Sequence, residues 1–87
     1  MKEKEVRTEI RNFAVEMEKR MAEKDKEFIG KNNYKNMKMS KLLKRWLTAG
    51  QLVTRFIQEG TDEFARKKLV DTANFCMMLF ERMGESD

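Results

Sequence analysis

A chain of 87 residues has room for one domain, and at this length it buries only about 60% of the surface its unfolded form exposes. Charged residues make up 39% and apolar residues 40%, with a net charge of +4, which argues for well-solvated faces and against disorder. The single cysteine excludes an internal disulfide, the lack of histidine argues against a zinc site, and the absence of proline points to long helices with short connections.

Residues 2–5 are all charged, without the apolar stretch of a signal peptide, and the longest apolar run, Phe75 to Phe80, is too short to span a bilayer. These features predict a cytoplasmic protein in a reducing compartment, with no membrane partner.

A first helix is predicted over about residues 2–28. Val6, Ile10, Phe13, Ala14, Met17 and Met21 recur at steps of three and four, forming one apolar stripe among Glu, Lys and Arg. Glu16 and Arg20, four apart, are expected to pair along it. The Gly- and Asn-rich stretch 30–36 reads as a loop.

Ser40 is the expected N-cap of a second helix over 40–59. Its apolar stripe is broad, running from Leu42 and Leu43 through Trp46, Leu47, Ala49, Leu52 and Val53 to Phe56 and Ile57. That breadth suits two helical neighbours, with Trp46 in the core. Gly60 fits the left-handed position past the helix end. Thr61 is then expected to cap a third helix over 62–83, with Asp62 and Glu63 in its first turn.

The short connection predicts an antiparallel hairpin of helices two and three. Phe75-Cys76-Met77-Met78-Leu79-Phe80 makes the third helix apolar on every side, more than one chain can cover, and Cys76 reads as a buried small hydrophobe. The expected fold is therefore all-α: a three-helix chain assembling into a multi-chain helical bundle, as a homodimer or tetramer. Eight methionines suit such adaptable packing surfaces.

Charge is unevenly spread. Residues 28–58 contain no acid but seven bases, including Lys38, Lys41, Lys44 and Arg45, whereas residues 59–87 hold seven acids and four bases. The basic centre implies an anionic partner: a nucleotide or other phosphate anion, nucleic acid, or an acidic protein. A solvated face that also meets acids of a neighbouring copy is the competing explanation. Tyr34, in the basic loop, is the candidate for stacking on a base and could equally anchor the loop.

Two stretches carry a resemblance. Residues 13–21, Phe-Ala-Val-Glu-Met-Glu-Lys-Arg-Met, are similar to the opening helix of small MazG-like proteins of the all-α nucleoside triphosphate pyrophosphohydrolase superfamily. Residues 68–78, Lys-Leu-Val-Asp-Thr-Ala-Asn-Phe-Cys-Met-Met, resemble the Asp-Val-Ala-Asn-Phe-Ala-Met-Met ending of phage and prokaryotic members. The likeness spans roughly residues 12–83, with Leu42 to Trp46 and the Gly60 turn at the family's Leu-rich helix and short turn.

The resemblance implies a fold in which magnesium, held by Glu-Glu-x-x-Glu on one helix and Glu-x-x-Asp on the next, supports cleavage to monophosphate and pyrophosphate. Here those positions hold Thr48, Ala49 and Leu52, then Lys68 and Asp71, so one carboxylate of five is left. The resemblance then implies a degenerate site without the usual chemistry, needing no cofactor; magnesium would return at Asp71 only if activity were retained.

Asp71 and Asn74 are candidate remnants of a nucleotide pocket, with Lys67 or Lys68 reaching a phosphate; a buried polar pair, with Asp71 meeting a base of the second helix, is the structural alternative. The function expected is a nucleotide-, anion- or protein-binding homo-oligomer. The alternatives are a divergent active pyrophosphohydrolase with ligands from a neighbouring chain, or a small basic nucleic-acid-binding protein.

Overall fold

The steps of three and four in the apolar pattern become three helices. The computed structural model describes residues 6–25 and 33–85, and among them α1 (Thr8–Lys24), α2 (Met39–Gln58) and α3 (Asp62–Glu85) are the regular elements, with no strand. No helix among the described residues is long and apolar enough to cross a membrane.

α1 starts later than its stripe suggests. Arg7 is extended (φ −62°, ψ 146°), and the Val6 carbonyl accepts from the Arg11 guanidinium at 3.0 Å instead of joining the helix. Residues 2–5 and 26–28 of the predicted helix lie outside the described residues.

The start of α2 is set by packing rather than by a hydroxyl cap. Lys38 is its N-cap, without a side-chain cap bond, and its carbonyl accepts from the N–H groups of Lys41 and Leu42 at 3.0 and 3.1 Å. Ser40 therefore sits inside the first turn. Met37 just before the cap and Leu42 in the next turn are buried in one cluster, the arrangement of a hydrophobic staple.

The end of α2 follows the expected chemistry. Gly60 has φ +76°; its N–H bonds the Ile57 carbonyl at 3.1 Å, and the Thr61 N–H bonds the Phe56 carbonyl at 2.9 Å. These two bonds form a Schellman motif, which satisfies carbonyls the helix leaves open. Thr61 stands at the N-cap position of α3, its carbonyl accepting from the Ala65 N–H at 3.1 Å, while its hydroxyl donates backwards to the same Phe56 carbonyl at 3.1 Å.

α2 and α3 pack closely. Beside the turn, Phe56 and Phe64 lie 5.7 Å apart; farther away, Trp46 meets Cys76, and Met37 and Leu42 meet Met78. Leu42 is wholly enclosed and Met78 nearly so, with Met21, Tyr34, Phe75, Met77 and Leu79 packed around them. Ala49 and Ala65 are also buried.

The 33–37 turn is tied to this core. The Asn33 Oδ1 accepts from the Lys35 N–H at 2.9 Å, and the Arg82 guanidinium donates to the Tyr34 and Met37 carbonyls at 2.7 and 2.6 Å.

α1 packs on α3 and makes no close backbone approach to α2. None of its residues is buried; Met17 and Met21 are half-covered, while Ile10 and Phe13 are exposed. The broad stripe of α2 therefore meets one helix, not two. Trp46 and Cys76 are correspondingly exposed rather than in the core, with the Trp46 indole N–H donating to Cys76 Sγ at 3.2 Å. A single chain has no second layer to cover the side on which they stand.

Candidate functional site: a basic cleft between three helices

Because α1 and α2 both lean on α3 without closing on each other, a cleft of about 540 Å³ opens between them. That volume lies in the range of small-molecule sites. Its floor is apolar: Met21 from α1, Ala49 and Leu52 from α2, Phe75 and Met78 from α3. Arg20 and Lys24 of α1, Lys41, Lys44 and Arg45 of α2, and Lys68 of α3 also line it. Against these six cations stands one carboxylate, Asp71.

Asp71 is 8% exposed and doubly engaged. Arg20 reaches it with Nε on Oδ1 at 2.7 Å and Nη2 on Oδ2 at 3.3 Å, while Lys68 Nζ meets Oδ2 at 3.2 Å. Burial pushes the Asp71 carboxyl upward, but its hydrogen bonds from Arg20 and Lys68 outweigh that and hold it below its ordinary value. The Arg20 guanidinium is raised, first by its bond to Asp71 and then by that to Glu23. Asp71 is thus an ionised anchor for α1.

Asn74 is the second polar tie. Its Nδ2 donates to the Met17 carbonyl at 3.2 Å, and its buried Oδ1 has no partner among the described residues. A buried acceptor without a donor is costly unless a ligand or water supplies one.

The ammonium groups of Lys41 and Lys44 have no carboxylate partner among the described residues, and α2 itself carries no acid. With one acid lining the walls, the cleft is a positive trough over an apolar floor. A second cleft, of about 460 Å³ between α1 and α3, mixes Glu16, Glu23 and Glu63 with Lys19, Arg20, Arg66 and Lys67, so it has no comparable bias.

Six of the residues expected from the sequence come together here: Lys41, Lys44, Arg45, Lys68, Asp71 and Asn74. Lys38 does not line the cleft; it is the exposed N-cap of α2. Tyr34 does not line it either, and packs against the core cluster as a loop anchor. Sequence reasoning missed Arg20 and Lys24, which α1 supplies from four positions apart beside Met17 and Met21. Arg20 lies 51 residues from Asp71, and its expected partner Glu16 pairs instead with Lys19 at 3.4 Å. Asp71 accordingly meets bases of α1 and α3, not of α2.

Thr48, Ala49, Leu52, Lys68 and Asp71, the five positions at which the resemblance implies carboxylates, all line this one cleft. The residues present do not fit a divalent cation. Both Asp71 oxygens are engaged by cations, and no three Asp, Glu, Cys or His among the described residues stand together as a metal set.

No family model, curated protein or solved structure matches this chain.

Proposed function

We propose that this chain is a degenerate MazG-like protein, an antiparallel α2–α3 hairpin carrying α1, that binds a nucleotide-like phosphate anion as a homo-oligomer without metal-dependent hydrolysis. The observation that carries this reading is the charge inventory of the cleft: six cations and one carboxylate, at the place where the resemblance calls for five carboxylates. Lys41 and Lys44 are the groups that meet the phosphate, because no carboxylate among the described residues competes for them. The apolar floor of Phe75, Met78 and Leu52 suits a ring, and the orphaned Asn74 Oδ1 suits a hydrogen-bond donor on it. A ligand with a phosphate, a flat apolar body and a donor is favoured over bare phosphate.

Calorimetric titration with AMP, ATP, pyrophosphate and inorganic phosphate tests this. Nucleotides are expected to bind more tightly than phosphate, and Lys41→Gln with Lys44→Gln should weaken them by roughly tenfold or more, since charge-assisted hydrogen bonds are lost. Absence of binding by every one of these anions would overturn the proposal. Pyrophosphate release from nucleoside triphosphates in magnesium, abolished by Asp71→Ala, would instead establish an active enzyme.

A further inference from the structure

We infer that the basic cleft takes a single strand of nucleic acid, with one base on its floor and the backbone phosphates along cations that continue past it. This rests on the phosphate-binding reading above and extends it from a mononucleotide to a polymer.

The cations outrun the cleft. Lys41, Lys44 and Arg45 line it, and Lys38 stands three residues before Lys41 and seven before Arg45, the spacing of one helix side. Lys38 is exposed and makes no side-chain cap bond. At the same end the Arg82 guanidinium donates to the Met37 carbonyl at 2.6 Å, which fixes a further positive charge beside Lys38. At the other end Arg55 follows the lining residue Thr48 by seven, and it pairs with Glu59 at 3.2 Å. Every base of α2 thus stands on the side that carries the cleft. With Lys38 they form a row of about 25 Å at the helical rise per residue.

A second row faces this one. Arg20 and Lys24, one turn apart on α1, line the opposite wall, and α1 and α2 do not meet across the gap. Glu23, the acid that Arg20 holds at 2.8 Å, lines the other cleft. The result is a trough between two cationic walls rather than a closed pocket.

Charge complementarity selects the occupant. Six cations and one carboxylate line the trough, and Lys38, beyond it, has no carboxylate partner among the described residues. A phosphate monoester brings about two negative charges at neutral pH, so one nucleotide leaves the row positive. A strand adds a charge with each nucleotide and carries it along the row, where Lys38 can meet it. The floor selects the form of the strand. Half-buried Phe75, with Met78 and Leu52, offers an apolar surface on which any unpaired base can stack, whereas the bases of a duplex already stack on one another.

Fluorescence anisotropy on the full chain tests the inference, with labelled oligo(dA) and oligo(A) strands of about eight nucleotides that tell DNA from RNA as the source. At equal ionic strength at least one strand should bind roughly tenfold or more tightly than AMP, and more tightly than its own duplex. Lys38→Gln should weaken the strand several-fold and flatten its salt dependence by about 0.7 in the log–log slope, while AMP binding stays as in the wild type. Lys19→Gln removes the same charge beside Glu16 in the second cleft, and should leave strand binding unchanged. AMP bound as tightly as both strands, a duplex bound as tightly as its strand, or a Lys38→Gln protein that binds strands like the wild type overturns this inference alone. Binding of neither AMP nor a strand overturns the phosphate-binding reading with it.

Discussion

Arg20 of α1 and Asp71 of α3 are joined by two hydrogen bonds, Nε to Oδ1 at 2.7 Å and Nη2 to Oδ2 at 3.3 Å, across 51 residues of sequence. This pair, with Asn74 on the Met17 carbonyl, fixes α1 to a helix that its few half-covered methionines grip weakly. Asp71→Asn leaves the Arg20 charge without its main partner and should cost about 2 kcal/mol. Thermal unfolding at pH 7 reads it as a fall of roughly 10 °C. A variant that melts with the wild type would show the pair to be structurally idle.

The same pair sets an acid limit. The Asp71 carboxyl lies below its ordinary value of 3.8 in the folded chain, so its stabilisation is fully present above that value and is lost as pH falls through the folded one. Wild-type stability should therefore drop more steeply below about pH 4 than that of Asp71→Asn, which has no such group to protonate. Parallel acid titrations of the two proteins, followed by circular dichroism, make the comparison. Identical acid limbs would exclude Asp71 as the group responsible.

Charge in the cleft makes a second use of that variant. Removing the Asp71 carboxylate leaves no acid among the residues that line the cleft, so Asp71→Asn should bind phosphate anions several-fold more tightly if α1 stays docked, whereas an active metal site would be destroyed by it. Titration of AMP into wild type and variant at equal ionic strength separates the two. Weaker binding with intact helix content would count against an anion trough.

Among the described residues, Gly60 is the position with a left-handed backbone. It sits at φ +76° with open space where a Cβ would stand, so Gly60→Ala meets no clash and isolates the left-handed strain. The expected cost is about 1 kcal/mol, read from a denaturant midpoint shifted without a change in slope. An unshifted midpoint would mean the turn relaxes into another conformation.

Leu42 is wholly enclosed, beside Met37 and Met78, and Leu42→Ala should destabilise by about 3 kcal/mol through lost burial and the cavity left behind. Leu43→Ala, one residue along on an exposed side, is the contrast and should cost under about 1 kcal/mol. Equal losses in the two variants would place the core elsewhere.

The sequence by itself determined the helices and their punctuation. Steps of three and four identified all three, and Gly60 marked the turn because only a residue without a Cβ enters that conformation cheaply. It also located the α2 and α3 cations of the cleft, because an acid-free run is visible in the chain. Tertiary structure alone decided what those groups face. Arg20 and Lys24 could not be assigned to the cleft from α1, since a local pattern offers Glu16 and Glu23 as partners and says nothing of a residue 51 positions away. Trp46 and Cys76 looked like core because periodicity reports that a face is apolar and not which layer covers it. Packing α1 on α3 alone left that face open, and the same divergence of α1 from α2 opened the cleft.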